Sequence, residues 1–203
     1  MNVAAIVLAA GKSQRMGRNK LLLKLGSKML IDIILDALEA SKVNEIMVVL
    51  GHRPWEIEGV IKPRLDRVRV VLNERYEDGL ISSLKAGLRQ VTLADAIFVV
   101  LGDRPILDPL FLNSMIEQME RSCGKALIVS PFHKGQRGYP LLVSRELFGD
   151  IMGLKEREGS GDLIRRNVDR LLAIEAPDWT ITDIDCMEDY ESVLNKIPDS
   201  NLQ

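Results

Sequence analysis

The chain has 203 residues, 46% of them hydrophobic and 28% charged, with a formal net charge of −2. That balance fits one α/β domain over residues 1–203, and it gives no global attraction to nucleic acid or to an anionic membrane. No apolar run nears the roughly 18 residues of a membrane span. With Cys123 and Cys186 in no metal or redox spacing, a cytoplasmic protein with free thiols is expected.

Val3 to Leu8 is a continuous apolar run, as in a strand buried on both faces of a parallel sheet. It ends in the stretch Leu8 to Lys20, L-A-A-G-K-S-Q-R-M-G-R-N-K. Gly11 and Gly17 let backbone amides turn toward an anion. Lys12, Arg15, Arg18 and Lys20 put four cations within nine residues, which selects a polyphosphate as guest. The spacing is neither G-x-x-x-x-G-K-[ST] nor G-x-G-x-x-G. Arg15 offers a planar fork for two phosphate oxygens, and Lys20 is near enough to return its ammonium to the same phosphates.

Further along, Met29, Leu30, Ile33, Ile34, Ala37 and Leu38 recur at helical spacing and predict a helix over Lys28 to Ala40. Ile46 to Leu50 reads as a strand, Pro54 as the first turn of a short helix, and Val68 to Leu72 as a strand closed by Asn73. A polar turn over Tyr76 to Gly79 precedes a helix with Leu80, Leu84, Gly87 and Leu88 on one face. Ala96 to Leu101 is the most apolar strand, and it stops at Gly102-Asp103. Asp108 and Pro109 are an N-cap and first-turn proline for a helix through Met119, followed by a strand at Leu127 to Ser130.

In the second half, a turn over Lys134 to Gly138 leads to a strand at Tyr139 to Val143. Ser144 caps a short helix through Met152, and Lys155 to Asp162 is expected as a mobile loop. Short strands are predicted at Leu171 to Ile174 and Ile181 to Ile184, a helix at Glu188 to Lys196, and a frayed end at Pro198 to Gln203. Alternating strands and helices give a Rossmann-like three-layer α/β/α fold with a mainly parallel, mixed sheet.

Asp103, directly after a buried strand, is a hard oxygen ligand. Beside a triphosphate it suits Mg²⁺, which takes one or two carboxylates plus phosphate oxygens; a turn or capping role is the other reading. Asp183 and Asp185, two apart on a predicted strand, face one way, so that either can join Asp103. His52 and His133 are isolated and read as surface or turn residues. Ser82 and Ser83 lack a histidine–carboxylate set, which argues against a nucleophilic triad.

The stretch from Leu8 to Lys20 resembles the signature loop of MobA-like nucleotidyltransferases, and is most similar to the molybdenum cofactor cytidylyltransferase branch. Asn73 with Gly79 to Leu84 (G-L-I-S-S-L), Gly102 to Pro105 (G-D-R-P), Gly135 to Pro140 (G-Q-R-G-Y-P) and Asp183 to Asp189 (D-I-D-C-M-E-D) agree in order over nearly the whole chain. The resemblance implies a sheet of the nucleotide-diphospho-sugar transferase type. It implies that Leu8, Ala9, Ala10, Gly11 and Ser13 wrap a nucleoside triphosphate, with Arg15 and Lys20 on its phosphates. Asp103, with Asp185, would hold Mg²⁺, and Arg15, Lys20 and Asp103 would be the catalytic set. Asn73, Gly79 and Ser83 would lie near base and ribose, and Arg104, Arg137, Gly138 and Tyr139 would face the acceptor.

Ala10 stands where guanylyl-transferring relatives carry glycine. A methyl there crowds a purine more than a pyrimidine, so CTP is favoured. The chain departs from the family pattern at Tyr139 (histidine), Arg104 (glutamine) and Lys24 (proline), and Glu158 to Asp162 only loosely echoes a glycine-aspartate-x-glycine-x-arginine stretch. The implied reaction is Mg²⁺-dependent transfer of CMP from CTP to molybdopterin with release of pyrophosphate, and a molybdoenzyme as a transient partner. Alternative acceptors are a phosphorylated sugar, alditol, choline or lactate. A different class, a nucleotide-binding maturation partner without turnover, also fits.

Overall fold

The computed structural model describes residues 1–196; the predicted frayed end at Pro198 to Gln203 lies outside them. Strand β1 (Val3–Ala9) is buried throughout. Val3, Ala5, Val7 and Ala9 enter the core on one face of the sheet, and Ala4, Ile6 and Leu8 the core on the other. Alternation across a sheet covered on both sides is why the run is apolar at every position.

After β1 and its loop, β2 (Lys24–Leu25) and β3 (Lys28–Met29) pair as a small antiparallel ribbon. Helix α1 (Leu30–Glu39) therefore starts at Leu30 instead of Lys28. There follow β4 (Glu45–Leu50), α2 (Pro54–Ile61), β5 (Val68–Leu72), α3 (Leu80–Leu88), β6 (Ala96–Leu101) and α4 (Pro109–Arg121). Asp108 caps α4 as expected, its side chain accepting from Leu110 N at 2.8 Å. The chain continues through β7 (Ile128–His133), β8 (Gln136–Arg137), β9 (Leu141–Ser144), α5 (Phe148–Gly153), α6 (Ser160–Arg166), β10 (Leu171–Glu175) and α7 (Met187–Lys196).

The sheet runs β10-β7-β9-β6-β1-β4-β5, with β8 paired to β7. Strands β6, β1, β4 and β5 are parallel, and β9 is antiparallel to both neighbours. Helices α1, α2 and α4 pack on one face, and α3, α5 and α6 on the other. This is the expected mixed three-layer architecture. A satellite core of Met16, Leu23, Leu25, Leu30, Ile184 and Val193 ties the β1 loop to the segment before α7.

Two further predicted elements differ. Lys155 to Asp162 is a loop only as far as Gly159, because Asp162 accepts the Gly159 amide at 2.8 Å and starts α6. Ile181 to Ile184 is not a strand. A 3₁₀ turn over Asp178–Ile181 leads into an irregular segment, pinned where the Ile184 amide donates to Asp103 O at 2.8 Å. Among the described residues no helix is long and apolar enough to cross a membrane.

Candidate active site

β1 and β6 end side by side, Leu8 opposite Leu101, and the Gly102 amide donates to Leu8 O at 3.2 Å. From β1 the chain moves to β4 on one side, while β6 lies on the other. Where connections part in this way a crevice opens beyond the strand ends.

The loop that fills this crevice folds back on itself. Ser13 and Gly17, at φ 47° and 63°, bracket a 3₁₀ turn over Gln14–Met16 whose Met16 is anchored in the satellite core. Ser13 Oγ then accepts the Lys20 amide at 3.2 Å, and Asn19 Oδ1 accepts the Leu21 amide at 3.2 Å. These bonds aim Lys20 inward, with only 15% of its side chain exposed. Its Nζ donates to Asp185 Oδ1 at 3.0 Å, to Ile184 O at 3.0 Å and to Asp103 Oδ2 at 3.4 Å. Arg15 reaches the other oxygen of Asp185 at 3.4 Å from the solvent side.

Asp103 Oδ1 is buried and has no hydrogen-bond partner. A buried, unsatisfied carboxylate oxygen beside a second carboxylate is a fitting ligand for a hard cation. Among the described residues no cluster of three or more His, Cys, Asp or Glu forms.

Two joined cavities open on this cluster. One, of 380 Å³, is walled by Leu8, Ala9, Ala10, Gly11, Tyr76, Gly79, Leu80 and Ser83, and reaches Ser13, Lys20 and Asp103. The other, of 620 Å³, is lined by Lys12, Ser13, Gln14, Arg15, Lys20, Glu77 and Asp185. A mostly apolar chamber opening into a charged one matches the two ends of a nucleoside triphosphate.

The remaining nucleotide-side candidates fall differently. Asn73 is buried behind the wall, donating to Ser82 Oγ at 2.9 Å and Ser83 Oγ at 3.0 Å. With an Asn73 N–H directed at its oxygen, Ser83 is left free to offer its own proton to the chamber. Arg18 lines a 200 Å³ hollow with His52, Arg53 and Glu56, which adjoins the charged cavity through Gly11 to Gln14 and does not include Lys20.

Sequence reasoning missed Tyr76 and Glu77. Gly51 makes room for Tyr76, since a Cβ there would stand 2.5 Å from Tyr76 Cβ and 2.9 Å from Ala10 Cβ. Glu77 pairs with Lys12 at 2.5 Å. This hydrogen bond and its charge hold the Lys12 ammonium above its usual range and the Glu77 carboxyl below it.

Of the acceptor candidates, Arg104 follows Asp103 in the chain and meets Tyr139. Arg104 donates to Thr180 O at 2.8 Å, and its guanidinium lies 5.4 Å from the centre of the Tyr139 ring. Asp183 turns to Arg104 at 3.6 Å while Asp185 turns to Lys20, a divergence that follows from the missing strand. Gly138 presses against Thr180, whose carbonyl oxygen would be 2.6 Å from any added Cβ. Tyr139 bonds to Thr180 O through its amide at 2.9 Å and to Ser160 through its hydroxyl. Arg137 lies beside Gly161 and forms no ion pair among the described residues. His133 is occupied with Ala176 O at 2.8 Å, and His52 lies 3.5 Å from the Tyr76 hydroxyl.

A sheet that opens at its switch point onto lysine-bridged carboxylates is suited to moving a nucleotide, and the chain is a nucleotidyltransferase by relationship. Residues 5–171 match the MobA-like NTP transferase domain, and the chain belongs to that family. The purine catabolism protein PucB of Bacillus subtilis is 28% identical over 197 residues, 93% of this chain and 94% of PucB. A probable molybdenum cofactor guanylyltransferase of Natranaerobius thermophilus is 26% identical over 122 residues, 59% of this chain and 56% of its own. The crystal structure of Rv0371c from Mycobacterium tuberculosis is similar with a TM-score of 0.80 at 25% identity, over 97% of this chain and 99% of that one. Its complex with manganese gives 0.77 at 24% identity, over 97% and 100%.

Proposed function

We propose that this nucleotidyltransferase transfers CMP from CTP to a phosphate-bearing acceptor of the molybdopterin type, with Mg²⁺ held by Asp103 and Asp185. The observation that carries the reading is Lys20, sunk between two carboxylates at the mouth of the two-part cavity, with Asp103 Oδ1 left unpartnered. The manganese bound by Rv0371c supports a divalent ion. The acceptor named for the Natranaerobius relative supports the pterin class, and Ala10 supports CTP over the guanylyl donor of that relative.

In this reading an acceptor phosphate oxygen attacks the α-phosphorus, the bond to the bridging oxygen of the β-phosphate breaks, and pyrophosphate leaves. The acceptor phosphate is already a nucleophile, so no histidine base is required. Leu8 to Gly11, Gly79 and Ser83 hold the nucleoside, while Arg15 and Lys20 orient the phosphates for in-line attack. The Lys20 ammonium acts from a largely buried position, where a fixed charge is worth more than in water. Mg²⁺, when bound, neutralises charge on the transferring phosphoryl group. Arg137 receives the acceptor phosphate, and Arg104, Gly138 and Tyr139 shape the surface beside it.

The test follows pyrophosphate release with each of the four triphosphates, Mg²⁺, and molybdopterin or another phosphorylated acceptor. CTP with molybdopterin is expected to give the fastest release. No release from any pair would leave a nucleotide-binding partner as the better account, and faster turnover with GTP would remove the argument from Ala10.

A further inference from the structure

Each cation lining the charged chamber already faces a carboxylate. Lys20 faces Asp103 and Asp185, Arg15 faces Asp185, and Lys12 faces Glu77. Asp103 and Asp185 have a second use, as ligands of the divalent ion. Glu77 has none. It belongs to the 3₁₀ turn over Tyr76–Asp78 on the rim opposite the β1 loop, and its bond to Lys12 spans the chamber at 2.5 Å.

Lys12 and Glu77 are 37% and 63% exposed, so neither is locked in place by packing. The Lys12 ammonium also lies 5.8 Å from the centre of the Tyr76 ring, which keeps its stem along the wall while the charge points into the chamber. A phosphate oxygen entering here meets a Lys12 ammonium already charge-paired with Glu77, and competes with that carboxylate for the same charge. Because that carboxylate is tethered to the same wall, its effective concentration stays high and it returns whenever the phosphate lets go.

We infer that Glu77 is a built-in competitor for pyrophosphate: it occupies Lys12 in the empty site, yields to the triphosphate, and retakes Lys12 as the product leaves. This rests on the nucleotidyl-transfer reading and adds to it a residue and a step. Both phosphate ligands lose affinity to the competitor by a similar factor. The triphosphate keeps its nucleoside contacts in the apolar chamber. Pyrophosphate has no such anchor, so the same factor leaves it the more weakly held of the two.

The test is titration calorimetry with pyrophosphate and Mg²⁺, which reads binding without turnover, on wild type, Glu77→Gln, Lys12→Ala and the double variant. Glu77→Gln is expected to tighten pyrophosphate about threefold, the scale of an exposed ion pair, and to do nothing once Lys12 is alanine. Unchanged or weaker binding in Glu77→Gln would overturn the inference. Equal tightening in the Lys12→Ala background would overturn it too, because the carboxylate would then act by general repulsion. Wild type that binds neither pyrophosphate nor CTP would bring down the transferase reading itself, and the competitor with it.

Discussion

Replacing Lys20 by methionine keeps the volume and removes the charge that separates two carboxylates. At an effective dielectric of about 20, one ion pair at the observed 3.0 Å is worth about 5.5 kcal/mol before desolvation. Lys20 is 15% exposed and Asp103 and Asp185 about a third, so the cost of drying them offsets most of that figure. A net loss of about 1–3 kcal/mol remains once Asp103 and Asp185 face each other uncompensated. For a chain of this size that lowers Tm by about 3–10 °C in a chelator. Excess Mg²⁺ should then stabilise Lys20→Met more than wild type, since the ion supplies the missing positive charge. Turnover should nevertheless fall on the order of a hundredfold or more, because an ion at the carboxylates does not replace an ammonium on the phosphates. Thermal melts with and without Mg²⁺, together with pyrophosphate release, measure all three effects. Equal stabilisation of both proteins by Mg²⁺, or turnover within about threefold of wild type, would refute the reasoning.

Two further substitutions probe the ends of the site. Ala10→Gly removes the methyl at the wall of the apolar chamber and should lower the CTP-to-GTP ratio of kcat/KM, by about tenfold for one methyl-sized contact; an unchanged ratio would show that base choice is made elsewhere. Arg137→Ala should raise KM for the acceptor several-fold while leaving KM for the triphosphate alone, and equal effects on both would remove Arg137 from the acceptor side.

The parts of this protein that sequence alone makes legible are those governed by short-range rules. Val3 to Leu8 and Ala96 to Leu101 are apolar at nearly every position because both sheet faces are covered, so their ends, and therefore Lys20 and Asp103, can be placed near a ligand without coordinates. Met29 misleads because it continues the helical period while its backbone pairs with Lys24 in the small ribbon. Ile181 to Ile184 misleads because Ile184 is apolar for the sake of the satellite core, with no strand involved. Even so, Asp185 reaches the site, carried there by the Ile184 amide bond to Asp103.

Contacts between distant segments were beyond reach. Nothing in a polar turn marks Glu77 as the partner of Lys12. The approach of Arg104 and Tyr139 depends on β9 running antiparallel between β6 and β7, a register that local pattern does not encode. Nor does local pattern mark the bond from Asn73 to Ser83 Oγ.

The central claim is that the Asp103 and Lys20 cluster is where a metal-bound triphosphate is opened. The most direct measurement is Mg²⁺-dependent pyrophosphate release by Asp103→Ala beside wild type, with circular dichroism to show that both are folded. The account predicts that release is abolished in a folded variant. Turnover equal to wild type would contradict it and move the metal, and the chemistry, away from this cluster.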